Sequence, residues 1–207
     1  MASSKITDDN TALVSRKQLI LEALARELES KPGHRITTAA LAKAVGVSEA
    51  TLYRHFTSKA QMFEELILFA EEAVFSRVNQ ILSEEQLGRV RCQKLMFLLL
   101  GFSELNPGIT RVLLGEVLLG ENEHLQIRVD QFFSRFETQL RQVLREAPLR
   151  EGQGAPLGAE GGAQLLMSII EGRLHRFLRS GFSFSPMTGW DAQWEQVSRS
   201  LFLLESI

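Results

Sequence analysis

Apolar residues recur at spacings of three and four along almost the whole 207-residue chain, which is the period of an α-helix. No run of four residues alternates apolar and polar side chains convincingly enough to indicate a β-strand. Residues 122–146 illustrate the pattern, with one apolar face made of Leu125, Val129, Phe132, Phe133, Phe136, Leu140, Val143 and Leu144. The sequence therefore predicts an all-α fold.

Charge is distributed unevenly along the chain. The whole sequence has 23 basic and 25 acidic residues, a net charge of -2. Residues 1–60 carry nine basic and six acidic side chains, a net charge of +3, so the remainder carries -5. This excludes a uniformly basic nucleic-acid-binding protein but allows a basic head on an acidic body.

The composition excludes several other classes of protein. The single cysteine, Cys92, cannot form an internal disulfide, and four histidines do not assemble a Cys/His cluster at zinc spacing. The longest apolar run, residues 95–102, is far shorter than the roughly 20 residues that span a bilayer. Residues 1–10 lack the apolar segment of a secretory signal. We therefore expect a cytoplasmic protein without a membrane span, a metal or a cofactor.

No group of residues indicates catalysis. Cys92 lies within a helical pattern and has no base beside it, and the four histidines are scattered. No glycine-rich phosphate loop follows a strand. We expect a protein that is not an enzyme and that has no catalytic residues.

Local signals divide the chain into a tail, a head and a body. Residues 1–13 are polar and uncapped, which predicts a flexible tail. Residues 14–57 predict a head of three helices, and residues 58–207 a helical body. Residues 147–162 hold five of the 15 glycines and two of the five prolines, which predicts a mobile loop.

Three local patterns predict where helices of the body begin. Ser58 and Gln61 have the spacing of a capping box, as do Ser83 and Gln86, which predicts the starts of the fourth and fifth helices. Asn106 precedes a proline, which is typical of the first position of a helix. The eighth and ninth predicted helices carry apolar stripes too wide to bury within one subunit, which predicts a dimer interface.

Residues 36–63 carry the most specific pattern in the chain. Two short helical patterns flank Gly46, where a residue without a Cβ can take a positive φ. Small and apolar side chains let these helices pack closely: Ala39, Leu41, Ala42, Val45, Val47, Leu52 and Phe56. The segment matches the helix-turn-helix unit, whose second helix enters the major groove of DNA.

The outward-facing side chains of this unit suit contacts with DNA. Donors suited to phosphate oxygens are Thr38, Tyr53, His55 and Lys59. Ser48 and Thr51 suit base edges, and Arg54 suits guanine or phosphate. Helix capping alone also explains Ser48 and Ser58, so both interpretations stay open at this point.

The block GVSEATLYRHFTSKAQMF, residues 46–63, resembles the DNA-binding signature of TetR-family regulators. The resemblance implies a three-helix DNA-binding head and a helical body that dimerises through the eighth and ninth helices. It implies base contacts by Val47, Ser48, Glu49, Ala50, Thr51 and Arg54. It implies phosphate contacts by Thr38, Tyr53, His55 and Lys59.

A narrower resemblance is to a group of TetR-fold nucleoid occlusion factors. The segments that carry it are RITTAALAKAVGVSEATLYRHFTSKAQMFEELI, LLLGFSELNPGITRVLLG and FETQLRQVLREAPLREG. It implies binding to palindromic chromosomal sites, association with the nucleoid and antagonism of the division GTPase FtsZ. It also implies a partner groove between the fourth and fifth helices, formed by Phe69, Arg77, Leu98, Gly101, Leu105 and Asn106.

This sequence departs from that group at two positions. Leu105 stands where the group generally has arginine, which weakens the side of the groove suited to an acidic peptide. Ala40 stands where the group usually has lysine, which removes one phosphate contact.

The alternative is a ligand-responsive TetR-type repressor, in which the fourth to seventh helices enclose a small hydrophobic effector. The side chains suited to line such a pocket are Met96, Phe97, Phe132, Phe133, Phe136 and Met167. Residues of this kind at helical spacing are more often plain core.

Overall fold

The computed structural model describes residues 3–30, 32–151 and 156–202, with side chains from residue 16 onward and without that of residue 151. This part of the chain forms nine α-helices and no strand, which confirms the all-α prediction. The helices are α1 (Ser3–Ser30), α2 (Thr38–Val45), α3 (Glu49–His55), α4 (Lys59–Glu84), α5 (Gly88–Leu105), α6 (Pro107–Leu113), α7 (Glu123–Glu151), α8 (Gly158–Arg179) and α9 (Trp190–Leu201). None of these helices is long and apolar enough to cross a bilayer.

The first of two compact units consists of Met1–Phe69 and Asn106–Ile127. It contains α1 to α3, the beginning of α4, all of α6 and the beginning of α7. Its buried side chains include Leu24, Leu41, Leu52, Phe56, Phe63, Ile67, Ile109, Val112, Leu118 and Leu125. The three head helices thus share a core with α6, which the predicted boundary after residue 57 had assigned to the body.

Two residues of α6 explain this close association with α1. Gly108 lies so near α1 that a Cβ at this position would be 2.0 Å from the carbonyl oxygen of Ala25. Arg111 is fully buried and donates hydrogen bonds to the carbonyls of Leu28, at 2.6 Å, and His34, at 3.0 Å. Backbone carbonyls in the last turn of a helix lack donors within the helix, and Arg111 is such a donor for the Leu28 carbonyl at the end of α1.

The second unit consists of Ala70–Leu105 and Arg128–Ile207. Its buried side chains include Val74, Phe75, Cys92, Met96, Leu99, Phe132, Phe136, Leu166, Ile170, Trp190 and Trp194. Arg91 on α5 is also buried and donates to the carbonyls of Leu82 and Glu85, at 2.8 and 2.7 Å. It thereby satisfies orphan carbonyls at the end of α4.

Two segments predicted to be unstructured contain helix. α1 begins at Ser3, inside the predicted tail of residues 1–13, because neither glycine nor proline interrupts the sequence from there to Ser30. Helices also occupy residues 147–151 and 158–162 of the predicted loop 147–162. The part of that predicted loop made of residues 152–155 lies outside the described residues.

Packing accounts for the helical ends of that predicted loop. Ala147 is buried on α7, which continues through Pro148. A Cβ at Gly162 on α8 would lie 2.9 Å from a methyl of Leu144 and 3.1 Å from a methyl of Leu201. Gly162 therefore permits three helices to approach closely, whereas the composition had suggested flexibility.

The predicted start of the fifth helix at Ser83 is wrong. α4 continues to Glu84, and the Ser83 hydroxyl donates to the Gln80 carbonyl at 2.8 Å within the last turn. α5 begins only at Gly88. The Ser83-x-x-Gln86 spacing therefore marks a helix end rather than a cap.

Candidate DNA interface

The turn between α2 and α3 is fixed by backbone hydrogen bonds. Gly46 adopts the left-handed conformation, with φ 75° and ψ 34°. Its N–H donates to the carbonyl of Lys43 at 3.2 Å, and the N–H of Val47 donates to that of Ala42 at 2.9 Å. This is the hydrogen-bonding pattern of a glycine C-cap, and the open left-handed conformation favours glycine at position 46.

The inner face of α3 fixes its orientation. Leu52 and Phe56 are buried in the core of the first unit, as predicted from their spacing. The ammonium of Lys17 on α1 lies 5.4 Å from the centre of the Phe56 ring, which adds a cation–π contact. The second helix of the motif is therefore held rigidly while its other faces stay open.

None of the ten predicted DNA contacts is buried. The exposed residues are Ser48, Glu49, Ala50, Tyr53 and Arg54. The half-buried residues are Thr38, Val47, Thr51, His55 and Lys59. All ten lie within one unit, on α2, the turn, α3 and the first residue of α4.

Ser48 is the N-cap of α3. Its Oγ accepts a hydrogen bond from the backbone N–H of Thr51 at 3.2 Å and lies 3.0 Å from Oγ1 of Thr51. Thr37 caps α2 in the same way, accepting from the N–H of Ala40 at 3.2 Å. The capping role predicted for Ser48 is confirmed, and Ser48 is exposed at the N-terminal end of α3.

A side-chain hydrogen bond joins the two helices of the motif at their outer ends. The hydroxyl of Thr38, the first residue of α2, donates to Oε2 of Glu49, the first residue of α3, at 2.7 Å. Glu49 also places its negative charge at the N-terminus of α3, where the helix dipole favours it. Thr38 and Glu49 therefore brace one another.

The start of α4 is capped by a network that differs by one residue from the predicted capping box. Ser58 Oγ accepts from the N–H of Gln61 at 3.1 Å, as predicted. The Gln61 side chain reaches back to the N–H of Thr57 at 2.6 Å. This network fixes the backbone that carries Lys59.

Lys59 has an acidic partner that the sequence does not indicate. Its ammonium lies 2.5 Å from Oε1 of Glu121, in the turn that precedes α7. It also donates to the carbonyl of Ile36 at 3.3 Å and lies 5.6 Å from the centre of the Phe63 ring. Lys59 and Glu121 are far apart in sequence, so no local pattern relates them.

The six predicted partner-binding residues are divided between the units. Phe69 and Asn106 belong to the first unit, and Arg77, Leu98, Gly101 and Leu105 to the second. The side chains of Phe69 and Leu105 are 48% and 82% exposed. Arg77 is exposed and donates to Gln80 at 2.5 Å, while Leu98, Gly101 and Asn106 are half-buried. Every one of the six positions thus has surface available to a partner.

The residues predicted to line an effector pocket pack in a different way. Met96, Phe132 and Phe136 are buried, and the Phe132 ring lies 5.4 Å from that of Phe75 in an edge-to-face contact. Phe97 is 54% exposed. A cavity of about 230 Å³ in the same unit has none of these aromatic rings in its wall and is lined by Leu82, Arg91, Gln139, Gln142, Val143, Glu146 and Arg150.

No three His, Cys, Asp or Glu side chains of the described residues lie close enough together to hold a metal ion. The pKa of the Glu146 carboxyl, in the wall of that cavity, is lowered. The largest cause is the hydrogen bond from Gln142, and Arg150 and Arg91 lower it further. This carboxylate belongs to a structural network.

Two family models match the chain. The model described as bacterial regulatory proteins of the tetR family matches residues 20–66, and the model described as a tetracyclin repressor-like C-terminal domain, SlmA-like, matches residues 86–202. The first covers the helix-turn-helix unit. The second covers more than half of the chain.

Proteins named nucleoid occlusion factor SlmA are similar to nearly the whole chain. The one from Shewanella pealeana is 53% identical over 188 residues, which is 91% of this chain and 95% of the relative. The one from Marinomonas sp. strain MWYL1 is 51% identical with the same coverage. Identity at this level extends from the head through the body.

Solved TetR-type structures share the fold at low sequence identity. The MbdR regulator from Azoarcus sp. CIB has a TM-score of 0.76 at 16% identity, with 90% of this chain and 98% of that chain covered. The TetR-family regulator PfmR from Thermus thermophilus has a TM-score of 0.73 at 22% identity, with 88% and 98% covered. The chain therefore belongs to the TetR family of DNA-binding regulators, in the branch that contains the nucleoid occlusion factor SlmA.

Proposed function

We propose that this protein is a nucleoid occlusion factor that binds palindromic chromosomal sites as a homodimer and inhibits FtsZ assembly, and with it septum formation, over the nucleoid. The observation that carries the proposal is the identity of 51 to 53% with SlmA proteins over 91% of the chain. TetR-family regulators act as dimers on DNA and are not enzymes. The proposed location is the cytoplasm, in association with the nucleoid.

The DNA-binding part of the proposal rests on α2, α3 and the start of α4. In a two-fold dimer, each α3 enters a major groove and the two half-sites are related by the same symmetry, so the site is palindromic. The residues that read bases lie at the N-terminal end and on the outer face of α3, namely Val47, Ser48, Glu49, Ala50, Thr51 and Arg54. Thr38 holds a phosphate through its backbone N–H at the start of α2. The side chains of Tyr53, His55 and Lys59 hold further phosphates, and these contacts set the register of the protein on the duplex.

The dimer part of the proposal rests on α8 and α9. Leu165, Ile169 and Leu178 on α8 are only half-buried within a single chain. Gly172 is exposed, and a Cβ there would meet nothing within 4 Å. Apolar side chains beside an open glycine on one helix suit close approach by a second copy.

The partner part of the proposal assigns contacts with FtsZ to six residues, namely Phe69, Arg77, Leu98, Gly101, Leu105 and Asn106. Arg77 supplies positive charge suited to an acidic segment, and Phe69 supplies an aromatic anchor. Leu105 supplies an apolar side chain where related proteins generally have arginine. At position 105 the contact with FtsZ therefore depends on apolar burial rather than on charge.

The test is sedimentation of FtsZ polymers with GTP, with and without a palindromic duplex selected by the protein itself. We expect fewer polymers only when protein and selected duplex are both present. Phe69→Ala removes this effect and keeps DNA binding, whereas Leu68→Ala is the matched control because Leu68 is similarly exposed, at 42%. Unchanged polymers with the selected duplex would refute the proposal. Release of the duplex by a small apolar molecule would favour the repressor alternative.

A further inference from the structure

The contact between Lys59 and Glu121 is one of the least exposed ion pairs of the first unit. The two side chains are 17% and 13% exposed, and their charged atoms lie 2.5 Å apart. A lysine ammonium has three protons to donate. Glu121 and the Ile36 carbonyl take two of them, and the Phe63 ring lies below the charge.

The segment that carries Glu121 is held in place by its own turns. Residues 114–120 form consecutive turns between α6 and α7, and Gly115 and Gly120 take positive φ values of 73° and 79°. The Leu118 side chain is buried, and its carbonyl accepts from the N–H of Glu121 at 3.0 Å. The hydrogen-bonded turns between α6 and α7 therefore position the Glu121 carboxylate next to Lys59.

This pairing alters what Lys59 offers to DNA. A cation contributes to phosphate binding because it releases counterions condensed on the duplex. A lysine already paired with a carboxylate presents no net charge to the phosphate.

We infer that Glu121 competes with a DNA phosphate for Lys59 and thereby restrains the DNA affinity of the protein. This inference rests on the proposed DNA-binding function and adds a regulatory residue to the same site. Glu121 holds Lys59 in the free protein. On the operator, a phosphate oxygen takes the place of the carboxylate, and the Glu121 side chain turns to solvent.

The test compares Glu121→Gln with Glu123→Gln, which makes the same charge change two residues away on an exposed side chain. Fluorescence anisotropy with a labelled selected duplex is measured over a series of salt concentrations. We expect Glu121→Gln to tighten DNA binding by the dimer roughly five- to thirty-fold, because in each of the two protomers the ion pair with Glu121 no longer competes with the phosphate for Lys59. We expect the log–log salt dependence to change little, because Lys59 contacts one phosphate per protomer in the complex of the unmodified protein as well. Glu123→Gln is expected to change affinity less than about twofold.

A double-mutant cycle shows whether the gain acts through Lys59. In the Lys59→Gln background, Glu121→Gln should no longer tighten binding. A gain that persists there would mean that the substitution acts on the loop instead, and the inference would be wrong. Weaker binding by Glu121→Gln would also overturn it, because Glu121 would then be orienting Lys59 for the phosphate.

Two further measurements separate folding from competition. Glu121→Asp keeps the negative charge but shortens the side chain by one methylene, so we expect a gain in DNA affinity smaller than that of Glu121→Gln. Circular dichroism shows whether each variant folds like the unmodified protein. If both variants fold normally and neither binds DNA more tightly, the competition is refuted. The unmodified protein is the reference for the proposed function. If it selected no duplex at any salt concentration, the DNA-binding proposal itself would fail.

Discussion

The guanidinium of Arg111 on α6 donates a 2.6 Å hydrogen bond to the backbone carbonyl of Leu28 in the last turn of α1. The side chain is fully buried, and its charge is balanced by two hydrogen bonds to the carboxylate of Glu116. A residue of α6 thereby completes the C-terminal end of the first head helix.

Replacing Arg111 should destabilise the first unit strongly. In Arg111→Met the Leu28 and His34 carbonyls lose a donor and Glu116 loses its partner, so we expect a loss of about 3 to 5 kcal/mol. Urea denaturation followed by circular dichroism measures it. Arg145→Met is the matched control, because Arg145 is exposed and its hydrogen bond among the described residues is to Gln142 within α7. It should change stability by less than about 0.5 kcal/mol. Equal effects of both variants would contradict this role.

The two helical glycines Gly108 and Gly101 should respond to alanine in opposite directions. At Gly108 the new Cβ would lie 2.0 Å from a backbone oxygen of α1, so α6 must move away and stability falls. At Gly101 the new Cβ would meet nothing within 4 Å, so Gly101→Ala should gain about 0.5 to 1 kcal/mol from helix propensity. Thermal unfolding of the two variants checks this. A neutral Gly108→Ala would show that α1 and α6 do not need this approach.

Ser48 allows its capping role to be separated from a role in base reading. Ser48→Ala should cost about 1 kcal/mol of stability, and Ser48→Gly only a few tenths, because glycine is tolerated at the N-cap. If the hydroxyl also reads a base, both variants should lose preference for the selected duplex over a random one. Anisotropy titrations with the two duplexes measure this preference. If Ser48→Gly kept full preference, the base contact would be excluded.

Glu146 should make stability depend on pH in the acidic range. Its pKa is lowered in the folded protein, so ionisation favours the fold above the usual pKa of the carboxyl. That contribution is lost as the pH falls through the lowered pKa. We therefore expect Glu146→Gln to be less stable than the unmodified protein at neutral pH, with the difference disappearing in acid. Urea midpoints over a pH series measure it, and a difference independent of pH would contradict the assignment.

The head was predictable from sequence because its signals are local. Gly46 and Ser48 mark the turn and the cap, and Leu52 and Phe56 mark the inward face of α3 within one helical turn. Each of these features depends on residues no more than a few positions away. Such signals act before any tertiary packing is known.

The features that sequence reasoning missed depend on distant residues or on ambiguous ones. Arg111 and Leu28 are 83 positions apart, and no pattern in one segment indicates its partner in the other. Glycine is ambiguous in a different way, because it serves flexible loops and close helix packing alike. At Gly162 only the nearby methyls of Leu144 and Leu201 show that packing is the reason.

The hydrogen bond between Thr38 and Glu49 has a consequence for how operator preference can evolve. Glu49 is the exposed first residue of α3. Under the proposed DNA-binding function, position 49 is therefore a natural place for a substitution that alters the preferred sequence. The same substitution would remove the hydrogen bond between Thr38, the first residue of α2, and residue 49, the first residue of α3. A lineage that changes position 49 alone loses this brace, and a compensating change at position 38 must accompany it. Operator drift in proteins of this branch should therefore proceed by paired rather than single substitutions at these two positions.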